Sequence, residues 1–241
     1  MTIQLNESNN YTLMLTPNGQ GLGLCGKHFN AQFLKQEKLV TRTAQGRGTV
    51  YFFSLGKKAL VLRHYKRGGL VAKVSNDRFI FSNIANTRCY KELEVLQHLH
   101  NEKVNVPLPI AGKVTRKGMF YSADIITEVI PNTIELHEVL QSEALSPGTW
   151  KAIGIQIKKM HNSQVCHADI NVKNILVDRQ ASSPTIYLLD FDKCKIQKGN
   201  EWKKANLARF HRSLLKQTGK FTHYHYHQND WDELHMAYQN C

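Results

Sequence analysis

The sequence predicts an α+β chain folded as two lobes, a β-rich N-lobe over residues 1–130 and an α-rich C-lobe over residues 131–241. Three observations lead there. Apolar runs of β type fill the first half, and apolar residues at helical spacing fill the second. Between them the strand-like FYSADIITEVIP is stopped by Pro131 and Asn132, which we read as a linker.

The elements follow in order. TVYFFSLG and KKALVLRHY, rich in β-branched and aromatic residues and joined by a Ser-Leu-Gly-Lys turn, predict a hairpin. TRCYKELEVLQHLHNE predicts a helix with Leu93, Leu96 and Leu99 on one face and Val95 beside them. The two prolines of VNVPLPIAG break it. In the second half, LSPGTWKAIGIQIKKMHN places Trp150, Ile153, Ile157 and Met160 on one helical face, and Pro147 marks the helix entry. NILV and TIYLLDF predict two short strands joined by DRQASSP. A basic amphipathic C-terminal helix follows from Trp202 to Lys216, with Leu207, Phe210 and Leu214 inward as lobe core and Lys203, Lys204, Arg209 and Arg212 elsewhere.

At 241 residues, 41% hydrophobic and 21% charged, the chain has the composition of a folded globular protein rather than a disordered one. Its net charge of +13 attracts polyanions: nucleic acid, an anionic membrane surface or a phosphorylated substrate. The start, MTIQLNESNN, lacks the pattern of a signal peptide, and no run reaches the roughly 18 apolar residues that span a bilayer. A cytosolic protein is therefore expected. Five scattered cysteines without a C-x-x-C pair suit reduced thiols. His223, His225 and His227 would share one face of an extended segment, with no Cys or carboxylate spacing to support a metal site.

The chemistry-bearing residues sit in HADINVKNILVD and LLDFDKC. Asp169, Asn174 and Asp190 flank short apolar strands, where their desolvation needs a partner. Phosphoryl transfer from ATP requires a loop over the phosphates, a cation on them, metal ligands and a base near the acceptor hydroxyl, and each has a candidate in chain order. Gly46 and Gly48 precede a strand and would let backbone N–H groups approach phosphates. Arg63 ends the next strand on the face of Val61 and can fork onto phosphate oxygens, though kinases use lysine there. Its helix partner is Glu92 or Glu94, and the spacing favours Glu92. Folded as a hairpin, the two strands would bring Asn174 and Asp190 to one edge as oxygen ligands for a hard cation, with Asp169 left to orient the acceptor hydroxyl and take its proton.

HADINVKNILVD, LLDFDKC, QGRG and VLRHYKRGG together resemble the lipopolysaccharide kinases of Gram-negative bacteria, and among them those acting on 3-deoxy-D-manno-octulosonic acid (Kdo). The resemblance runs from about Gly46 to Lys216 and implies a bilobal protein-kinase-like fold. It implies Asp169 as the catalytic aspartate, Asn174 and Asp190 on magnesium, and Gly46, Gly48, Arg63 and Glu92 on ATP. It further implies transfer of the ATP γ-phosphate to the 4-hydroxyl of Kdo on a lipid A precursor, Kdo-lipid IVA, at the cytoplasmic face of the inner membrane. Lys66, Arg67 and Lys73 are then assigned to anionic groups of the acceptor. Asp192 replaces the glycine of D-F-G, and only 49 residues follow it, so the activation segment is truncated and has no peptide-docking platform. Another small basic kinase, for heptose or for protein, is a second reading. A catalytically dead nucleic-acid-binding scaffold is a third, and the intact Asp169, Asn174 and Asp190 argue against it, so no nucleic-acid partner is expected.

Overall fold

The computed structural model describes residues 3–45, 48–67, 77–178, 180 and 183–241. Gly46 and Lys73, two of the candidate site residues, lie outside this set. The chain divides into two compact units, unit 1 comprising residues 1–97 and 108–129 and unit 2 comprising residues 98–107 and 130–241.

Unit 1 is built on an antiparallel sheet of eight strands: β1 (Gln4–Glu7), β2 (Thr12–Leu15), β3 (Val40–Gln45), β4 (Thr49–Leu55), β5 (Lys58–His64), β6 (Phe79–Ile80), β7 (Pro109–Lys117) and β8 (Phe120–Glu128). Their order is β1-β2-β7-β8-β5-β4-β3, with β6 also paired to β8. The expected hairpin is β4–β5, with Leu55 opposite Lys58 and Gly56 at φ +57° supplying the left-handed turn. β7 was not expected as a strand. Pro109 stands at its first residue beside a register shift, where a missing N–H is tolerated.

Helix α1 (Ala31–Gln36) and helix α2 (Arg88–Asn101) cover opposite faces of this sheet. Leu13 and Met14 are consecutive on β2 and both buried, so they point opposite ways. Leu13 joins Leu34 of α1, Phe53, Leu60 and Ile126 in one core cluster. Met14 meets Gly112 of β7, whose missing side chain makes room for it and for Leu93 of α2. Leu93, Val95, Leu96 and Leu99 are buried as the periodicity requires.

Unit 2 contains β9 (Thr133–Glu135), α3 (Leu136–Ser142), α4 (Pro147–Asn162), β10 (Val165–Cys166), β11 (Ile175–Asp178), β12 (Thr185–Leu188), β13 (Lys195–Ile196), α5 (Glu201–Thr218) and α6 (Gln228–Asn240). Helix α4 starts as expected. Pro147 takes the first turn, and the Ser146 hydroxyl caps it by accepting the Thr149 N–H at 3.2 Å. Trp150, Ile153, Ile157 and Met160 are fully buried. The sheet order β12-β11-β9 contains the expected hairpin, with Ile175 opposite Leu188. The basic helix α5 is longer than expected and is not the last: α6 follows it and packs on α4 through Leu234 and Tyr238. Tyr224 is buried against His137 of α3, and Tyr226 against Trp150 of α4 and His211 of α5. Their neighbours His223 and His227 are exposed, and no three His, Cys, Asp or Glu side chains gather as a metal site among the described residues.

The α4–α6 contact is close at Gly154, where a Cβ would stand 2.2 Å from the Leu234 carbonyl oxygen. Backbone cannot yield as a side-chain tip can. Gly154→Ala should therefore destabilise unit 2 by about 1–3 kcal/mol. Gly148→Ala, whose Cβ would meet nothing closer than 3.7 Å, should leave stability unchanged or slightly raised. Thermal unfolding followed by circular dichroism compares the two.

Candidate functional site: the 167–174 loop, its hairpin and helix α5

Between β10 and β11 the chain runs as a loop over residues 167–174, fixed at its start by His167. This ring is 1% exposed. Its Nε2 donates to the Leu189 carbonyl at 2.9 Å while Nδ1 accepts the Asp169 N–H at 3.1 Å, which defines a neutral tautomer. Burial pushes its pKa down, in keeping with that state. The loop's other end is also closed on itself. Asn171 and Asn174 both donate side-chain amides to the Asp169 carbonyl, each at 2.8 Å. Asn171 Oδ1 in turn caps the short 3-10 turn Val172–Asn174 by accepting the Lys173 N–H.

The hairpin brings the third acidic position in. Leu189 N–H donates to the Asn174 carbonyl at 2.9 Å, one step beyond the Ile175–Leu188 pair, so Asp190 stands at the same edge as Asn174. The strand itself stops at Leu188, and Asp190 follows in the left-handed region at φ +60°. Next to it Phe191, 1% exposed, packs on the His167 ring at 4.9 Å between centroids. Cys194 Sγ accepts the Ala168 N–H at 3.3 Å, which ties the segment after Asp190 back to the loop.

Helix α5 lies along this loop in register. Three residues of one helical stripe each meet a successive part of it. Asn206 Nδ2 donates to the His167 carbonyl at 2.8 Å, Arg209 Nη2 donates to Asp169 Oδ1 at 2.8 Å, and Ser213 Oγ accepts the Val172 N–H at 3.2 Å. Asn206 also accepts from His161 Nε2 at 3.0 Å, and the Tyr238 hydroxyl donates to His161 Nδ1 at 2.7 Å. A buried polar chain thus runs from α6 through α4 and α5 to the loop. Burial drives the His161 pKa down to about 4.

In unit 1 the strand-end cation and the helix acid meet. Arg63 Nη2 pairs with Glu92 Oε1 at 2.5 Å, and the Tyr65 hydroxyl donates to Glu92 Oε2 at 2.6 Å. Glu92 is 4% exposed, so both its oxygens need these partners. Glu94 is exposed. The Tyr65 ring lies 4.8 Å from the Arg63 guanidinium, and burial raises its pKa well above the usual phenol value, which keeps its proton on Glu92. Gly48 stands against Lys66: a Cβ there would come 3.1 Å from the Lys66 ammonium. Arg67 Nε donates to the Arg78 carbonyl at 2.6 Å, and its guanidinium lies 5.3 Å from the Phe79 ring.

The turn therefore joins Asn174 to Asp169, the hairpin sets Asp190 at the edge of Asn174, and Arg63 meets Glu92 in the other unit. Sequence reasoning counted Arg209 only among surface cations and passed over Asn206, Ser213, Tyr65 and His161. The stripe Asn206, Arg209, Ser213, polar and one step beside the apolar stripe of the same helix, was the available signal.

The model of the lipopolysaccharide kinase (Kdo/WaaP) family matches residues 31–238. A 3-deoxy-D-manno-octulosonic acid kinase of Photobacterium profundum is 42% identical over 211 residues, 88% of each chain. The kinases of that name from Vibrio vulnificus and Haemophilus influenzae are 41% and 40% identical, with 88% and 87% of this chain and 88% and 89% of theirs aligned. Among solved structures, WaaP in complex with acyl carrier protein shares the fold with a TM-score of 0.61 at 15% identity, over 95% of this chain and 89% of that one. A microcompartment-associated aminopropanol kinase shares it with a TM-score of 0.54 at 12% identity, over 88% of this chain and 81% of that one.

The buried His161 predicts a pH dependence. Its folded pKa of about 4 lies below the ordinary 6.5, so the unfolded chain binds the extra proton between those values. Its contribution is complete above pH 6.5 and is lost as pH falls, by about 2 kcal/mol at pH 5. His167 acts in the same direction, and His64, raised by its hydrogen bond to Asp124, acts in the opposite one. Urea unfolding at pH 7 and pH 5 should show a smaller loss in His161→Gln than in the parent chain.

Proposed function

The chain belongs to the lipopolysaccharide kinase (Kdo/WaaP) family, and from that membership we propose that it transfers the γ-phosphoryl group of ATP to the 4-hydroxyl of Kdo on Kdo-lipid IVA. The observation that carries the reading is the loop that holds Asp169 and Asn174 by hydrogen bonds beside a basic helix, with Asp190 at the adjoining hairpin edge.

Unit 2 supplies the chemistry. Asp169 orients the acceptor hydroxyl and takes its proton as the oxygen bonds to the γ-phosphorus. The bond from that phosphorus to the bridging oxygen breaks, and ADP leaves with the electron pair. Asn174 spends its amide nitrogen on the Asp169 carbonyl, which leaves Oδ1 as a donor for a cation, and Asp190 adds a carboxylate at the same hairpin edge. Two hard oxygen groups suit Mg2+, which, bound there, would neutralise charge on the phosphates.

Unit 1 supplies the nucleotide groups. Arg63, braced by Glu92 and Tyr65, is directed at phosphate oxygens in the role other kinases give to lysine. Gly48, and Gly46 outside the described residues, are assigned to the phosphates. Lys66, Arg67 and Lys73 are assigned to anionic groups of the acceptor. The net charge of +13 and a lipid-borne acceptor support a peripheral association with the anionic cytoplasmic face of the inner membrane. Among the described residues no helix is long and apolar enough to cross a membrane.

Labelled ATP with Mg2+ and the Kdo-bearing precursor tests this. The parent chain should label the lipid. Asp169→Asn should lose about 10²–10⁴-fold in kcat with ATP affinity kept. Asp190→Asn should instead raise the magnesium concentration needed for half-maximal rate. Labelling of a different glycan and not of this one would move the assignment to another acceptor, and full activity in Asp169→Asn would overturn the mechanism.

A further inference from the structure

Arg209 stands beside the reacting group. Its Nη2 holds Asp169 Oδ1 at 2.8 Å, while the side chain is half-exposed. A guanidinium carries five N–H donors in a fixed fork, and this bond uses one of them. The fork therefore has donors left for a second acceptor. The position is set by the helix rather than by the pair. Phe210 and Leu214 are fully buried, and Asn206 and Ser213 grip the loop on either side of Arg209. An ion pair on the surface alone would not need such placement.

We propose that Arg209 is a specificity-determining residue that binds the carboxylate of an acidic acceptor sugar while it remains on Asp169. The inference rests on the Kdo kinase reading and deepens it by assigning the sugar's acid group a partner. A hydroxyl within hydrogen-bond reach of Asp169 lies roughly 5–6 Å from the guanidinium. In the pyranose form of a 2-ulosonic acid, C4 and the carboxyl-bearing C2 are separated by C3 alone. A carboxylate at C2 therefore falls within the same span when the 4-hydroxyl is at Asp169. The guanidinium would join the two carboxylates, one from the protein and one from the sugar, and fix the ring with its 4-hydroxyl presented. A neutral sugar gains nothing from this arrangement, so the same contact excludes it.

The test uses the full chain, labelled ATP, and two acceptors: the lipid precursor bearing Kdo and its counterpart with the sugar carboxyl converted to carboxamide. The parent chain should prefer the acid by about 10- to 100-fold in kcat/KM, mostly through KM. Arg209→Gln should lose most of its activity on the acid and treat acid and amide alike within about 3-fold. Arg209→Lys should recover part of the preference, since it restores charge without the fork. A preference for the acid undiminished in Arg209→Gln would overturn the proposal and leave the Kdo kinase reading standing, with Arg209 serving only to position Asp169. A parent chain that labels neither lipid would overturn both.

Discussion

Everything around Asp169 depends on one neutral imidazole. His167 donates to the Leu189 carbonyl from one ring nitrogen and accepts the Asp169 N–H with the other, and its own carbonyl is held by Asn206. A protonated ring could not accept that N–H, so burial and function ask for the same state. Through these three bonds the loop, the β11–β12 hairpin and helix α5 are fixed to each other. The phenyl ring of Phe191 closes the remaining side. Asp190 and Asn174 face a common edge because this assembly leaves the backbone little choice.

The arrangement in unit 1 follows a different logic. There the buried group is a charge, and Glu92 is tolerable in the interior only because a guanidinium and a phenol hydroxyl meet its two oxygens. The aromatic ring of Tyr65 also underlies the guanidinium, so one tyrosine serves the acid with its hydroxyl and the base with its face. Arginine is well suited to such a site, since its planar fork pairs with a carboxylate and stacks at once. The departure from lysine on this strand thus has a local physical basis.

Much of this was legible in the sequence because it rests on local period. The inner faces of α2 and α4, the β4–β5 hairpin and the β11–β12 pair all follow from spacing and turn residues. Glu92 was preferred to Glu94 on the same grounds, since it stands three and four residues before the buried Val95 and Leu96. β7 escaped because Pro107 and Pro109 read as breakers, when Pro109 only opens the strand. α6 escaped because its inward residues, Leu234 and Tyr238, are few among polar ones. Arg209 was hidden for a deeper reason. Its partner lies 40 positions away, and no periodicity reports a pairing made by two elements meeting in space.

Helix α5 separates what holds it from what it presents. Its grip on the unit comes from Leu207, Phe210 and Leu214 in the core and from Asn206 and Ser213 on the loop, whereas Arg209 is about half-exposed between them. The presented side chain can therefore change without loosening the helix. Gly154, buried under the Leu234 carbonyl, has no such freedom. Within unit 2, substitution is thus closed at a scaffold position on α4 and open at the half-exposed position on α5.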